Sequence, residues 1–222
     1  MTQHFVATTL RPVTLDAANA EQKSVLEGAL KQVGFIPNMY ANMVNVPGVL
    51  TTYLHGYAAF RKSSGLSPAE QEVVFLAISR QNGCSYCMAA HSMMADKVSG
   101  VPAPVLAAIR SGQALPDAKL QALYDFTREL VSTAGKPGQA VAAAFLSAGY
   151  TEATALQIIL AAAVKTLSNF SNHLFQTEVD AKFAAYKLAS DLGEHEGIFP
   201  LIVKQALRGG ARVRALREQT PA

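Results

Sequence analysis

The residues best suited to chemistry lie close together in the sequence. Cys84 and Cys87, the only two cysteines among 222 residues, are followed by His91, and Glu72 lies twelve positions before Cys84. On an α-helix each residue advances by about 100°, so the two thiols and the imidazole would fall within about 60° of one another. Thiol, imidazole and carboxylate groups brought together in this way predict redox chemistry at one site.

The positions of the two cysteines suit a reversible dithiol cycle. Cysteines one turn apart close a small ring with little backbone movement, and a cysteine in the first turn of a helix has its thiolate stabilised by unpaired N–H groups. The dipeptide Asn82-Gly83 is a helix-ending signal that would place Cys84 at the start of a new helix. Glu72 would then lie on the preceding helix and reach the thiols only if the two helices pack as an antiparallel hairpin.

Each of the four side chains has a predicted role. A thiolate is the nucleophile in dithiol chemistry, whereas a free cysteine with a pKa of about 8.5 is mostly protonated at neutral pH. We therefore predict that His91 accepts the proton of Cys87, directly or through a water, while Glu72 orients the imidazole and stabilises its charged form. Cys87 would become a sulfenic acid, with which Cys84 condenses to a disulfide. The opposite assignment stays open at this point, because a helix N-terminus favours the Cys84 thiolate.

Zinc binding is the main alternative for the same side chains. Both cysteines, His91 and Glu72 could supply four ligands, although zinc–thiolate sites usually draw their pairs from separate elements. Two further residues have secondary predicted roles at the redox site. Tyr86 is expected to shape the substrate entrance, and His173 is expected to line the site from the end of an apolar helix.

The composition predicts an all-α fold. Half of the residues are hydrophobic, Trp is absent, and no stretch alternates β-branched residues. The length suffices for one domain with a sizeable core, and no linker divides the chain, so residues 1–222 are predicted to form a single helical domain. Capping and breaking signals predict helices at about 20–33, 47–63, 68–80, 84–98, 104–110, 117–133, 139–148 and from 151 to 167 or beyond.

Charge and hydropathy exclude several function classes. The formal net charge is only +3, and basic residues concentrate in a tail at about 201–222. Without a recognition motif or interleaved aromatic residues, this tail is predicted to be a solvated end or an oligomer contact, and not a nucleic-acid site. No signal peptide is recognisable, and no segment has the roughly 18 uncharged apolar residues of a membrane span, so we expect a cytoplasmic protein without membrane binding.

The stretch from Ser67 to His91 resembles the carboxymuconolactone decarboxylase family, and specifically its alkylhydroperoxidase D-like, peroxidase-related branch. The shared pattern is Leu-Ser-Pro-x-Glu-x-Glu, then a segment ending in Asn-Gly, then Cys-x-Tyr-Cys-x-x-x-His. The resemblance covers about 33–183, because further positions also resemble the longer members: Gly34-Phe35-Ile36-Pro37-Asn38, Pro47, Asn169, Asn172-His173 and Asp180.

The resemblance implies an all-helical bundle that reduces hydrogen peroxide or organic hydroperoxides through a cysteine pair. It also implies a homo-oligomer, commonly a trimer or hexamer, no bound metal or organic cofactor, and an external thiol or dithiol reductant. Cys84, Cys87, His91 and Glu72 fall on the family's thiol and proton-relay positions. Tyr86 stands where some members carry a second histidine, so a relay through that imidazole is missing here.

Two other functions stay open from the sequence. One is a carboxymuconolactone decarboxylase-like lyase on the same fold, which is less expected because that chemistry has no need of a cysteine pair. The other is a non-catalytic helical oligomer that uses the cysteine pair for zinc binding or redox sensing, with the basic tail contacting a partner.

Overall fold

A computed structural model describes residues 4–188 of the chain. The described residues form helices and loops without a β-strand, so the predicted all-α fold is confirmed. The α-helices in this range are α1 (Ala20–Val33), α2 (Asn38–Met43), α3 (Pro47–Ser63), α4 (Pro68–Gln81), α5 (Ser85–Lys97), α6 (Ala103–Ser111), α7 (Ala118–Ser132), α8 (Gln139–Ser147) and α9 (Glu152–Phe175), followed by a 3₁₀ helix (Ala181–Tyr186). The predicted basic tail lies outside the described residues, and the extension of the domain to residue 222 stays a prediction.

The helices begin and end at the capping residues that the sequence indicates. At the start of α4 the Ser67 hydroxyl accepts a hydrogen bond from the Glu70 backbone N–H, and the Glu70 carboxylate accepts one from the Ser67 N–H. This reciprocal pair satisfies two of the free N–H groups at the helix start. Helix α1 ends at Val33 and is capped by Gly34, whose φ of 78° is in the left-handed region that favours glycine. Helix α9 extends beyond the predicted minimum at Leu167 to Phe175.

Helices α4 and α5 form the predicted antiparallel hairpin. Gly83 makes the turn with a φ of 68°, and the Cys84 N–H donates to the Ser79 carbonyl at 2.9 Å. Away from the turn, Glu72 near the start of α4 meets His91 on α5. Residues 72–79 of α4 are completely buried, because α5, α7 and α9 all pack against this helix. The hairpin is therefore a fixed central support for its side chains.

Two hydrophobic clusters make up the core of the described region. One surrounds α4 and includes residues of α6, α7 and α8. The other packs α1, α2 and α3 against the start of α5, and it contains Cys84, Tyr86 and Cys87. The cysteines thus lie inside the second cluster, and solvent reaches them only if neighbouring side chains move.

Helix α9 has two contrasting faces. Its inner face contains four buried polar residues: Lys165, Ser168, Asn169 and Asn172. Its outer face exposes four large apolar residues: Leu156, Ile159, Phe170 and Leu174. Among the described helices, only α9 is long and apolar enough to cross a membrane. A core helix can have the same length and composition, so this property alone does not assign a membrane.

Candidate active site

The two cysteines occupy the first turn of α5. Cys84 is the N-cap residue, and Cys87 lies one turn further along. Both are free thiols with only 1% and 2% of their surfaces exposed, and they are hydrogen-bonded to each other. The structure therefore brings the two sulfur atoms together in a dry environment, as the spacing predicts.

The two thiols differ in their ionisation. Burial raises the pKa of Cys84 well above its ordinary value, and the hydrogen bond to Cys87 raises it further. Burial alone would also raise the pKa of Cys87, but the Cys84 hydrogen bond and the charge of Lys165 outweigh it and hold that pKa well below the ordinary value, with a further lowering by His91 when its imidazole is protonated. Both thiols are buried to the same extent, so burial does not distinguish them, and the direction of the hydrogen bond between them is what separates their pKa values. The geometry favours a Cys87 thiolate that accepts a hydrogen bond from the Cys84 thiol.

His91 and Glu72 form a buried pair beside the cysteines. The His91 Nδ1 atom lies 2.8 Å from Glu72 Oε2, and the two side chains are 5% and 0% exposed. Burial alone would raise the pKa of Glu72, but His91 and Arg61 hold it below its ordinary value. An ionised Glu72 accepts the Nδ1–H, which leaves the His91 Nε2 free to accept a proton. Burial and the charge of Lys165 lower the pKa of His91, so the imidazole is neutral near neutral pH.

Arg61 completes this ionic group, although the sequence did not single it out. Its guanidinium donates to Glu72 Oε1 and, at 2.7 Å, to the Tyr57 hydroxyl. It also lies 4.8 Å from the centre of the Phe75 ring. Arg61 and Lys62 together look like an ordinary basic helix end, and nothing in the local sequence distinguishes the residue that packs inward from the exposed one.

The inner face of α9 covers the cysteines from the opposite side. The Asn172 Nδ2 atom lies 3.3 Å from the Cys87 sulfur and 3.7 Å from the Cys84 sulfur. The Ser168 hydroxyl lies 3.9 Å from the Cys87 sulfur. Lys165, one turn before Ser168, is completely buried, and its Nζ atom has no hydrogen-bond partner among the described residues. The sequence contained a signal for Lys165, because a single charge directly follows the apolar stretch 155–164.

Tyr86 is placed differently from its expected position at an entrance. The side chain is 4% exposed, and its hydroxyl donates to the Asp180 carboxylate. Asp180 also accepts from the Asn38 backbone N–H at 3.1 Å, and the Tyr86 ring packs edge-on against Phe183. Tyr86 therefore ties α5 to the start of α2 and to the 3₁₀ helix. Its effect on substrate entry stays a prediction.

His173 does not lie where we expected it. The side chain is exposed and packs against the Phe170 ring, with 6.5 Å between the ring centres. One residue along a helix rotates the side chain by about 100°, so Asn172 takes the inward position and His173 points to the outer face. Within this chain the structure does not bring His173 to the cysteines.

The described residues do not assemble a group of three or more His, Cys, Asp or Glu side chains that could hold a metal ion. Glu72, one of the four candidate zinc ligands, has both carboxylate oxygens engaged by Arg61 and His91. The chemistry that this donor set supports is that of a thiolate with a neutral imidazole nearby.

The fold belongs to the all-α alkylhydroperoxidase D-like class. The structure is similar to the alkylhydroperoxidase AhpD core of an uncharacterized peroxidase-related protein from Ralstonia eutropha JMP134, with a TM-score of 0.67 and 21% identity over 78% of this chain and 93% of that one. It is also similar to a peroxidase-related protein from Silicibacter sp. TM1040, with a TM-score of 0.62 and 22% identity over 79% and 96% of the two chains. The debrominase Bmp8, solved as a cysteine-to-alanine variant in complex with 2,3,4-tribromopyrrole, has a TM-score of 0.66 and 16% identity over 82% and 97%.

One segment of the sequence matches a known protein family. Residues 47–129 match the carboxymuconolactone decarboxylase family, which confirms the resemblance noted above. The segment contains Glu72, both cysteines and His91, whereas Lys165 and Asn172 lie beyond it. No curated protein matches the chain.

Proposed function

We propose that this protein is a thiol-dependent peroxidase that reduces hydrogen peroxide or organic hydroperoxides through Cys84 and Cys87. The proposal depends on the asymmetry of the two hydrogen-bonded thiols, in which the pKa of Cys87 is lowered and that of Cys84 is raised. A peroxidase of this kind needs one nucleophilic thiolate and one protonated thiol that resolves the product. The Cys84–Cys87 pair supplies both within one helical turn.

The proposed cycle has two chemical steps. The Cys87 thiolate attacks the terminal oxygen of the hydroperoxide, and the O–O bond breaks. The departing alkoxide takes up one proton from solvent, which replaces the proton that Cys87 lost when it ionised. The products of this step are an alcohol and a Cys87 sulfenic acid. Cys84 then attacks the sulfenic sulfur, its thiol proton leaves with the hydroxyl group as water, and the disulfide forms. An external thiol or dithiol returns the two electrons, and the cycle needs no bound metal or organic cofactor.

In this proposal His91 and Glu72 handle the protons. Glu72 fixes the Nδ1–H of His91, so Nε2 is the atom that receives a proton from a thiol and returns it to a leaving oxygen. Arg61 keeps Glu72 ionised, and this prevents the carboxylate from taking the proton itself. Asn172 donates toward both sulfur atoms and thereby favours negative charge on them.

The first test is a count of free thiols. Fully reduced, metal-free protein receives one equivalent of cumene hydroperoxide, and the thiols per chain are titrated before and after the addition. We expect a fall from two to none, with the chain still monomeric on a non-reducing gel, since the disulfide is intramolecular. Two thiols remaining would contradict the proposal. The next tests would then be zinc binding, turnover of lactone substrates, and oxidation of the thiols by 2,3,4-tribromopyrrole.

Single-cysteine variants then test the order of attack. In Cys84→Ser we expect a sulfenic acid on Cys87 that can be trapped with dimedone and located by mass spectrometry. The matched variant Cys87→Ser should give no trapped sulfenic acid on Cys84 under the same conditions. A sulfenic acid found on Cys84 but never on Cys87 would reverse the assignment.

We also propose that the protein is a homo-oligomer that buries the outer face of α9. Leu156 and Phe170 on this face are 68% and 58% exposed. Beside them lies a groove of about 460 Å³ between α3 and α9, and it is lined mainly by apolar side chains. Exposed apolar surface of this kind marks interaction sites. Light scattering on Leu156→Asp should give a smaller mass than the wild type, whereas Val98→Asp, at an exposed apolar residue just after α5, should not.

A further inference from the structure

We propose that Lys165 is the counter-ion of the Cys87 thiolate, so that an ammonium group on α9 determines the reactivity of a thiol on α5. This lysine lies outside the segment 47–129 that matches the family. The inference rests on the proposed function only in taking Cys87 as the reacting thiol.

The first argument is the position of Lys165 on the inner face of α9. Lys165, Ser168 and Asn172 follow one another at helix spacings of three and four residues, so they share one face. The other two members of this face contact the Cys87 sulfur at 3.9 Å and 3.3 Å. The Lys165 Nζ atom lies 5.8 Å from the centre of the Phe75 ring, which is itself 4.8 Å from the His91 ring. The ammonium is thus held between α9 and the cysteine hairpin.

The second argument is the balance of buried charge. The Lys165 ammonium is completely buried, and its Nζ atom has no hydrogen-bond partner among the described residues. Such a buried charge lowers the stability of the folded state unless an anion lies nearby. The buried carboxylate of Glu72 does not meet this need, because Arg61 and His91 already engage both of its oxygens. The two cysteine thiols are the remaining acidic groups on which the charge of Lys165 acts, and Cys87, as a thiolate, supplies the anion. Each charge therefore offsets the desolvation of the other.

The third argument concerns the other ionisable groups around Cys87. Cys84 and His91 on α5 face it, with Glu72 on α4 behind His91. Four tyrosines also interact with it electrostatically: Tyr40 on α2, Tyr53 and Tyr57 on α3, and Tyr86 on α5. Burial raises the pKa of all four tyrosines, so they stay neutral. His91 is also neutral, because burial and the charge of Lys165 lower its pKa. Lys165 is accordingly the cation that stabilises the thiolate at rest, and this leaves His91 free to act as a base.

The test measures ionisation directly and uses no peroxide. Thiolate absorbance in the ultraviolet is recorded on the reduced protein through the acidic and neutral range, and the curve of Cys87→Ser is subtracted. In Lys165→Met, which keeps the length of the side chain and removes the charge, we expect the apparent pKa of Cys87 to rise by about one pH unit or more. Lys165→Arg, which keeps the charge, should stay close to the wild type. An unchanged pKa in folded Lys165→Met would overturn the proposal.

A double variant decides the question if Lys165→Met alone does not fold. Without the thiolate the ammonium is buried without an anion, so Cys87→Ser should be destabilised. Cys87→Ser/Lys165→Met should then be more stable than Cys87→Ser in urea unfolding. A double variant that is less stable than Cys87→Ser, or that does not fold, would give Lys165 a packing role unrelated to Cys87 and overturn the proposal. Peroxide turnover by the wild type answers the separate question of the proposed function.

Discussion

His91 and Glu72 share a hydrogen bond of 2.8 Å between Nδ1 and Oε2 in the interior of the hairpin. Because Arg61 engages the other carboxylate oxygen, the proton of this bond stays on the imidazole. The free Nε2 is thereby defined as the basic atom of the site. Substitutions can separate this function from the packing of the same side chains.

Glu72→Gln should slow oxidation by cumene hydroperoxide by about 100-fold, because an amide no longer favours the charged form of His91. The variant should also lose about 3 kcal/mol of unfolding free energy, since Arg61 is left without its anionic partner. Stopped-flow kinetics and urea unfolding measure the two effects. Glu70→Gln, which removes a charge from the capping box of the same helix, should lower stability but leave the oxidation rate unchanged. Equal rates for Glu72→Gln and the wild type would exclude the relay.

Asn172→Asp should raise the pKa of Cys87 and slow its oxidation by about 10-fold or more, because a carboxylate replaces a donor amide 3.3 Å from the sulfur. The neighbouring variant His173→Ala is the matched control, since His173 points outward. It should oxidise at the wild-type rate. The measurement is the pH dependence of sulfenic acid formation in a Cys84→Ser background. Slow oxidation of the His173→Ala variant would show that His173 contributes to the reaction after all.

Reduced protein should become more stable with rising pH because of Cys87. Its pKa is lower in the folded chain than the value of about 8.5 in an unfolded one, so the unfolded chain binds more protons between the two values. The contribution to stability is complete above about pH 8.5 and is lost as the pH falls through the folded pKa. Cys84, with its raised pKa, has the opposite effect only at higher pH.

Urea unfolding at several pH values, in the presence of a reductant, measures this effect as the difference between the wild type and Cys87→Ser. His91 and Glu72 titrate in both proteins, so the subtraction removes their contributions. Parallel curves would mean that Cys87 is not a thiolate in the folded state.

Tyr86→Phe should reduce the unfolding free energy by about 1–3 kcal/mol, because Asp180 loses a buried hydrogen-bond donor. The ring contact with Phe183 is kept, so the oxidation rate of the cysteines should change little. Tyr186→Phe removes a similar hydroxyl–carboxylate bond to Asp96 at the surface, and its stability should change less. A large fall in the oxidation rate of Tyr86→Phe would instead give the phenol a direct role in the cycle.

Gly56→Ala should destabilise the protein by about 1–3 kcal/mol through overpacking between α3 and α9. A Cβ atom at Gly56 would lie 2.7 Å from a Val164 methyl group, and the branched side chain of Val164 cannot turn away freely. Removing that methyl group in Gly56→Ala/Val164→Ala should restore part of the lost stability. Thermal unfolding of both variants provides the comparison. If the double variant instead loses the sum of the two single losses, the overpacking does not arise between Gly56 and Val164.

Much of the fold could be predicted because its signals are local. The capping box at Ser67 and Glu70, and the turn at Asn82-Gly83, define α4, α5 and their short connection. The helical spacing of Cys84, Cys87 and His91 then fixes their common orientation. These features depend on residues that are near one another in sequence, so they need no knowledge of the tertiary structure.

The remaining parts of the site depend on contacts between distant segments. Arg61 packs inward and Lys62 is exposed because of how α3 rotates against α4, and no local pattern records that rotation. The same reason explains why Asn172 faces the cysteines and His173 does not. The sequence shows Lys165 as a charge beside an apolar stretch. Its proposed role as a counter-ion could be inferred only from its burial in the folded structure.

The burial of both sulfur atoms makes the two halves of the proposed cycle unequal in speed. Hydrogen peroxide is nearly as small as water and can pass through brief openings between side chains, whereas a protein reductant must bring its own sulfur into line with the disulfide. Such an approach needs the covering segments to move apart, at a rate that the packing of α9 and the 3₁₀ helix controls. In the proposed cycle, a steady supply of oxidant would therefore leave most molecules as disulfide, and the fraction oxidised would record recent exposure.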